Sequence, residues 1–157
     1  AKPVASVAGP RVDLGLVGSP VKAGQPRLLT DLLAQGYVPI VACVGATSDG
    51  QLLNVNADTL ASHLAIQLRA KRLIIAGGTA GVLDANGATI DRLTSRAAGQ
   101  LIKSGTANKG MVAKLEACRA ALRQGVGDVV IANGRDVRFG ALADATSSLT
   151  GCTQVVG

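Results

Sequence analysis

An α/β fold with a mainly parallel sheet sandwiched by helices is predicted by three features of the sequence. Short apolar runs, Tyr37–Val44, Leu73–Ala76 and Val129–Ala132, alternate with stretches of helical periodicity, the βαβ pattern of parallel sheets. The glycines cluster where those runs end. Hydrophobic residues make up 48% of the chain, with Tyr37 and Phe139 as the only aromatics, and a core of small aliphatics suits strands covered by helices. At 157 residues the chain is expected to be a single domain, 1–157, since an ordinary domain takes roughly 100–200 residues.

Each element has its own signal. Residues 1–26, rich in Pro, Gly and Val, read as extended segments and turns, with short patterns at Val12–Val17 and Ser19–Val21. Leu28, Leu29, Leu32 and Leu33 fall on one helical face between Pro26 and Gly36, where Gly36 is the stop. Tyr37–Val44 follows as a strand, and Gly45–Asp58, GATSDGQLLNVNAD, leads from its carboxyl end towards the next helix. That helix, from about Ala57 to Arg69, is expected to bury Leu60, Ala61, Leu64 and Leu68. Leu73–Ala76 then completes a βαβ unit ending at Gly77-Gly78. Thr79–Ile90, with Gly81, Asp84, Asn86 and Gly87, reads as a hairpin or irregular excursion. Helices over Ser95–Ser104 and Met111–Gln124 close at Gly105 and Gly125, the second burying Met111, Leu115, Cys118 and Leu122. Val129–Ala132 is a strand, Leu142–Ala145 part of a short helix, and Thr153–Val156 a final edge strand.

Charge and cysteine content narrow the function classes. The net charge of +6 comes from scattered Lys and Arg with almost no aromatics among them, which argues against nucleic acid and for solubility or phosphate handling. The longest apolar run, Tyr37–Val44, is far short of the roughly 18 residues of a membrane span. Cys43, Cys118 and Cys152 are odd in number and far apart, which fits neither a disulfide framework nor metal ligands, and a reducing, cytoplasmic compartment is expected. Cys43 and Cys118 read as packing residues. The single histidine, His63, falls off the Leu60, Leu64, Leu68 face and is expected on the surface. The chain opens on Ala1 with no signal-like segment, so processing or truncation is expected to have removed something.

Three loops carry the candidate chemistry. In the first, Asn54, Asn56 and Asp58 put polar groups beside a helix start; Asn56 reads equally as a helix cap, and Asp58 as a group that favours the dipole or holds a cation. In the second, Gly77, Gly78 and Gly81 follow a strand, where missing side chains let a ligand approach the backbone. No GxxxxGK[ST] or GxGxxG fingerprint accompanies them. The third, Thr106–Lys114, is a polar glycine loop entering a helix, with Lys114 expected in the first turn; helix-start N–H groups and a lysine make an anion site.

Taken together, GYVPIVACVGATSDGQLLNVNAD, RLIIAGGTAGVLD, LIKSGTANKGMVAKLEAC and VVIANGRD resemble the amino acid kinase family, and within it the N-acetylglutamate kinases of arginine biosynthesis. The resemblance runs from about Val12 to Gly157, and the NVNAD and GMVAK motifs carry its specificity. It implies a three-layer αβα fold of the amino acid kinase and carbamate kinase kind. It implies ATP with Mg²⁺ as the phosphoryl donor and the side-chain carboxylate of N-acetylglutamate as acceptor. By resemblance, Lys114 and Asp58 are catalytic, Lys114 stabilising the transferred phosphoryl group and Asp58 organising the lysines, and Asn54 binds substrate. Gly78, Thr79, Ala80, Gly81, Val82 and Leu83, with Thr106, Ala107 and Asn108, are the implied ATP contacts, and no protein metal site is implied.

Two departures from the family pattern shape the expectation. Gly77 and Gly78 stand where family members usually carry a hydroxyl residue and an aspartate, and the family's amino-terminal half has no counterpart in the chain. The chain is therefore expected to supply the carboxyl-terminal, nucleotide-binding half. It is expected to be a fragment or half of a two-chain enzyme, with a second copy or the missing amino-terminal half as partner, and no nucleic acid and no membrane involved. Two alternatives from other classes are a non-catalytic regulatory domain of the same fold, which Gly77-Gly78 favours, and a kinase for a carrier-linked aminoadipate or glutamate.

Overall fold

A computed structural model describes residues 2–3, 14–21, 25–135, 139–143 and 149–157. The chain divides into two compact units, Ala1–Leu68 and Arg69–Gly157. Both contain a four-stranded mixed sheet and helices, and the α/β class holds. Of the six strand pairings three are parallel, so the sheets are mixed rather than mainly parallel.

In the first unit the sheet order is β1-β2-β4-β3. Strand β2 (Val17–Ser19) runs parallel to β4 (Leu52–Val55), while β1 (Lys2–Pro3) and β3 (Val44–Ala46) are the antiparallel edges. Val12 and Asp13 of the first expected extended segment lie outside the described residues. Helix α1 (Arg27–Ala34) ends as expected at Gly36 (φ +81°), where the Tyr37 N–H donates to the Leu32 carbonyl and the Gly36 N–H to Leu33. This is the left-handed glycine stop that satisfies a helix's last carbonyls.

The expected Tyr37–Val44 strand does not form. Residues 37–42 have no regular structure, and Val38 and Ile40 are 88% and 98% exposed. Pro39 interrupts the run with a residue that cannot donate to a ladder. Pairing instead begins at Val44, in a hairpin whose turn is closed by Thr47 N–H to the Gln51 carbonyl (2.9 Å) and Gln51 N–H to Thr47 Oγ1 (3.0 Å). Gly50 sits there at φ +88°, and Asp49-Gly50 between short apolar runs was the available hairpin signal. Residues 45–58 are thus a hairpin, a strand and a helix start, and the expected βαβ unit through Leu73–Ala76 is replaced by two separate sheets.

After β4, helix α2 (Ala57–Gln67) buries Ser62 and Ala65, one turn apart, while Leu60, Ala61, Leu64 and Leu68 are half-buried. His63 is half-buried rather than on the surface, and burial pushes its imidazole below the ordinary histidine value.

The second unit has sheet order β5-β7-β8-β6. Strand β5 (Arg72–Gly77) runs parallel to β7 (Asp128–Asn133), in which Val129, Val130, Ile131 and Ala132 are fully buried. Strand β8 (Cys152–Val156) lies inside the sheet, antiparallel to β7 and parallel to β6 (Arg92–Thr94), so it is not the edge strand expected from its place at the chain end. The edge strand on that side is β6, three residues too few to show an alternation in the sequence. Helices α3 (Ser95–Lys103) and α4 (Lys109–Arg123) pack on each other, α3 against β6 and β8 and α4 against β7. Leu115, Cys118 and Ala121 of α4 are fully buried, Met111 and Leu122 half-buried. Helix α5 (Phe139–Ala143) sets Leu142 against Val130, Ala132 and Cys152; the expected continuation to Ala145 lies outside the described residues. Among the described residues no helix is long and apolar enough to cross a membrane.

A polar staple ties this sheet together. Arg72 Nε and Nη2 donate to the two Asp128 carboxylate oxygens (2.8 and 2.6 Å), Gln154 Nε2 donates to Asp128 Oδ2 (2.6 Å), and Arg72 Nη1 donates to the Leu142 carbonyl (2.9 Å). The Arg72 side chain is only 5% exposed. The Arg72 hydrogen bonds, helped by Gln154 and opposed by burial, hold the Asp128 carboxyl below the usual carboxylate range. A depressed folded-state value contributes stability that is present above the unfolded value of about 3.9 and lost as pH falls through the folded one. Asp128→Ala is expected to cost about 3–5 kcal/mol at pH 7, because it removes the carboxylate that offsets the charge of the buried Arg72. Urea unfolding at pH 7 and pH 3 should show a larger acid loss in the wild type than in the variant.

Candidate functional site

The segment after β5 is held by its own short-range hydrogen bonds. Thr79 Oγ1 donates to the Gly81 carbonyl (3.0 Å), the Ile90 N–H donates to the Val82 carbonyl (2.8 Å), and Leu83 and Thr89 form an isolated antiparallel bridge. Asp84 Oδ1 accepts from the Asn86 and Ala88 N–H groups (2.8 and 2.9 Å), with Gly87 at φ +80°. The expected irregular excursion over Thr79–Ile90 is therefore a closed loop with fixed backbone.

Facing it is the connection between α3 and α4. Ser104 and Thr106 share a hydroxyl hydrogen bond (2.8 Å), and Asn108 caps α4, its Oδ1 accepting from the Met111 N–H (2.9 Å). The two segments enclose a cleft of about 190 Å³ within the second unit. Seven of the nine residues implied as nucleotide contacts line it: Thr79, Gly81, Val82 and Leu83 on one side, Thr106, Ala107 and Asn108 on the other. Gly78 and Ala80 do not. The sequence missed Asp84, Leu101 and Met111, which also line it; Met111 had been placed on a buried helix stripe, and periodicity alone cannot tell a core position from a cleft floor. Leu83, Leu101 and Met111 offer apolar contact for a flat ring, and the first-turn N–H groups of α4 favour an anion.

Lys114 lies in the second turn of α4, not the first, because the helix starts at Lys109 rather than Met111. The dipole conflict of a first-turn lysine is thereby relieved, since the effect fades within a turn. Its side chain is half-buried and crosses the carboxyl end of β5: a Cβ built on Gly77 would lie 3.5 Å from Lys114 Cε. There the Gly134 N–H also donates to the Gly77 carbonyl (2.9 Å), joining the ends of β5 and β7. A hydroxyl side chain at position 77 would thus meet Lys114 at ordinary contact distance.

In the first unit, Asn54 is on the exposed face of β4, opposite Leu53 and Val55, and its N–H donates to the Leu16 carbonyl (2.7 Å). Asn56 is the cap of α2, accepting from the Thr59 N–H (3.1 Å), and half-buried Asp58 is in the first turn. All three lie where β4 runs into α2. Cys43, outside any strand, is half-buried, whereas Cys118 and Cys152 are buried, and burial raises the Cys152 thiol above its ordinary value. A raised thiol is a packing residue, not a nucleophile.

Comparison with known proteins places this geometry. Residues 3–133, most of the chain, match the amino acid kinase family. The chain belongs to the amino acid kinase family. It is 45% identical over 126 residues to the acetylglutamate kinase of Caulobacter sp. (strain K31), covering 79% of this chain and 41% of that protein. The chain spans about two fifths of the length of the curated relatives it matches. The solved structure of smu.665 from Streptococcus mutans UA159 is 32% identical, with a TM-score of 0.69 over 83% of this chain and 47% of that one. N-acetylglutamate synthase from Neisseria gonorrhoeae, complexed with coenzyme A and N-acetyl-glutamate, has a TM-score of 0.84 over 99% of this chain and 35% of that one, at 20% identity. That likeness shows a shared fold, the three-layer αβα class.

The cap of α4 can be tested directly. Asn108→Ala removes the acceptor of the Met111 N–H and should cost about 1 kcal/mol in urea unfolding, whereas Asn108→Asp, which keeps an acceptor there, should cost less.

Proposed function

We propose that this chain supplies the ATP-binding half of a kinase that phosphorylates the side-chain carboxylate of N-acetylglutamate, a step of arginine biosynthesis, in the cytoplasm. The observation that carries the reading is that residues from both implied nucleotide segments line one and the same cleft, in a chain 45% identical to an acetylglutamate kinase.

MgATP is the donor substrate. Its base would lie against Leu83, Leu101 and Met111, and its phosphates would run towards the start of α4 and the Gly77 end of β5, where Lys114 crosses. A carboxylate oxygen of N-acetylglutamate attacks the γ-phosphorus, the bond to the β,γ-bridging oxygen breaks, and an acyl phosphate and ADP result. Such a transfer asks the protein for positioning and charge stabilisation rather than covalent chemistry. Lys114 is assigned to the charge on the transferred group, Asp58 to orienting the cationic groups, and Asn54 to the acceptor. Mg²⁺ arrives on the nucleotide phosphates. A second copy, or the kinase's amino-terminal half, is the proposed partner.

Gly77-Gly78 favours a second reading, a regulatory domain that binds an amino-acid effector without turnover. An enzyme completed by joining this chain to the amino-terminal segment of the Caulobacter relative separates the two. ADP release that depends on N-acetylglutamate, and a kcat lowered roughly 10²–10³-fold by Lys114→Ala as for loss of one preorganised charge donor, is the expected result. Activity unchanged in Lys114→Ala would remove that lysine's role, and a folded, completed protein that releases no ADP would favour the regulatory reading.

A further inference from the structure

Thr153 is fully buried, yet it carries a hydroxyl in a position where the sheet needs only an apolar side chain. Its register partner on β7 is Ile131, also fully buried. A buried hydroxyl costs free energy unless it is hydrogen-bonded. The partner is not in the sheet. Thr153 Oγ1 accepts the Val82 N–H at 2.7 Å, across 71 residues of sequence.

The contact is close as well as polar. A Cβ built on Gly81 would lie 2.8 Å from the Thr153 backbone nitrogen and would also collide with the Thr153 side-chain oxygen. Only glycine lets the loop come this near to β8. Val82 is 2% exposed, and both of its backbone polar groups are engaged, the N–H by Thr153 and the carbonyl by Ile90. Gly81 and Val82 both line the cleft. Released from Thr153, this wall has, among the described residues, no other sheet strand to fix its height above β8: the Gly81 carbonyl accepts from Thr79 Oγ1 and the Val82 carbonyl from the Ile90 N–H, both within the loop itself.

We infer that Thr153 is a positioning residue for the cleft: its hydroxyl, together with the absence of a side chain at Gly81, clamps the 81–83 wall to the carboxyl-terminal strand and sets the cleft's width for a nucleotide. The assignment rests on the nucleotide reading of the cleft. Thr153 itself does not touch the ligand and acts through the Val82 amide. Nothing in the sequence marks it, because a threonine in Cys152–Val156 reads as one more β-branched strand residue.

The test uses the 157-residue chain with Thr153→Val, which keeps the shape and removes the acceptor, and Thr153→Ser, which keeps the acceptor and removes a methyl. Two quantities are read: the Kd for MgATP by calorimetry, and amide hydrogen exchange at Val82 compared with Ile131. The wild type is expected to bind. Thr153→Val should raise the Kd about tenfold or more, the scale of a buried donor left unsatisfied, and should speed exchange at Val82 far more than at Ile131. Thr153→Ser should restore both. Equal loss of protection at Val82 and Ile131 would mean that Thr153 only stabilises the sheet and would overturn the inference. So would a Kd unchanged in Thr153→Val. A wild-type chain that binds no MgATP would overturn the nucleotide reading and the inference drawn from it, while a selective effect at Val82 would still establish the clamp on the wall.

Discussion

Strand β8 holds the second unit together through opposite faces. Thr153 and Gln154 are adjacent, so their side chains point to opposite sides of the sheet. One receives the Val82 amide of the cleft wall, and the other donates to Asp128 in the pair with Arg72. Around them Cys152 and Val155 are buried against Val129–Ala132 of β7. A site that works by positioning needs rigid support, and here the wall is tied to a central strand rather than to another loop. The proposed chemistry depends on that support, since phosphoryl transfer gains from charges held in place before the substrate arrives.

The same layout explains how the candidate residues are distributed. Asn54 and Asp58 belong to the first unit, at the junction of β4 and α2; Lys114 and the cleft belong to the second. Each group occupies a strand end and a helix start, the places where backbone N–H groups and carbonyls are left over for ligands. In this division the residues that line the cleft all lie within the second unit, which is why the proposal assigns this chain the donor side of the reaction.

Much of this was legible in the sequence, and the failures have physical causes. Helices α1, α3 and α4 were readable because glycine stops at Gly36, Gly105 and Gly125 follow clear periodic faces. Strands β5 and β7 were readable as continuous apolar runs, although only β7 is buried on both faces while burial alternates along β5. Tyr37–Val44 misled because apolar content says nothing about whether a neighbouring strand is there to pair with, and Pro39 weakens any such pairing. The edge and centre of the second sheet were exchanged because strand order is a long-range property, set by β6 pairing with a segment some 60 residues later, a separation far beyond any local window. Seven of the nine implied nucleotide residues come together in the cleft. Thr153 and Met111 were missed for one reason: burial in a strand or on a helix stripe looks the same in sequence whether the neighbour is core or cleft.

The most direct test of the central claim is a ¹H–¹⁵N NMR titration of the chain with MgATP, which reports binding residue by residue. The account predicts saturable shifts concentrated at Thr79–Asp84 and Thr106–Met111, with Asn54 and the β4 strand little changed. Saturable shifts centred elsewhere, or none in a folded chain, would contradict it.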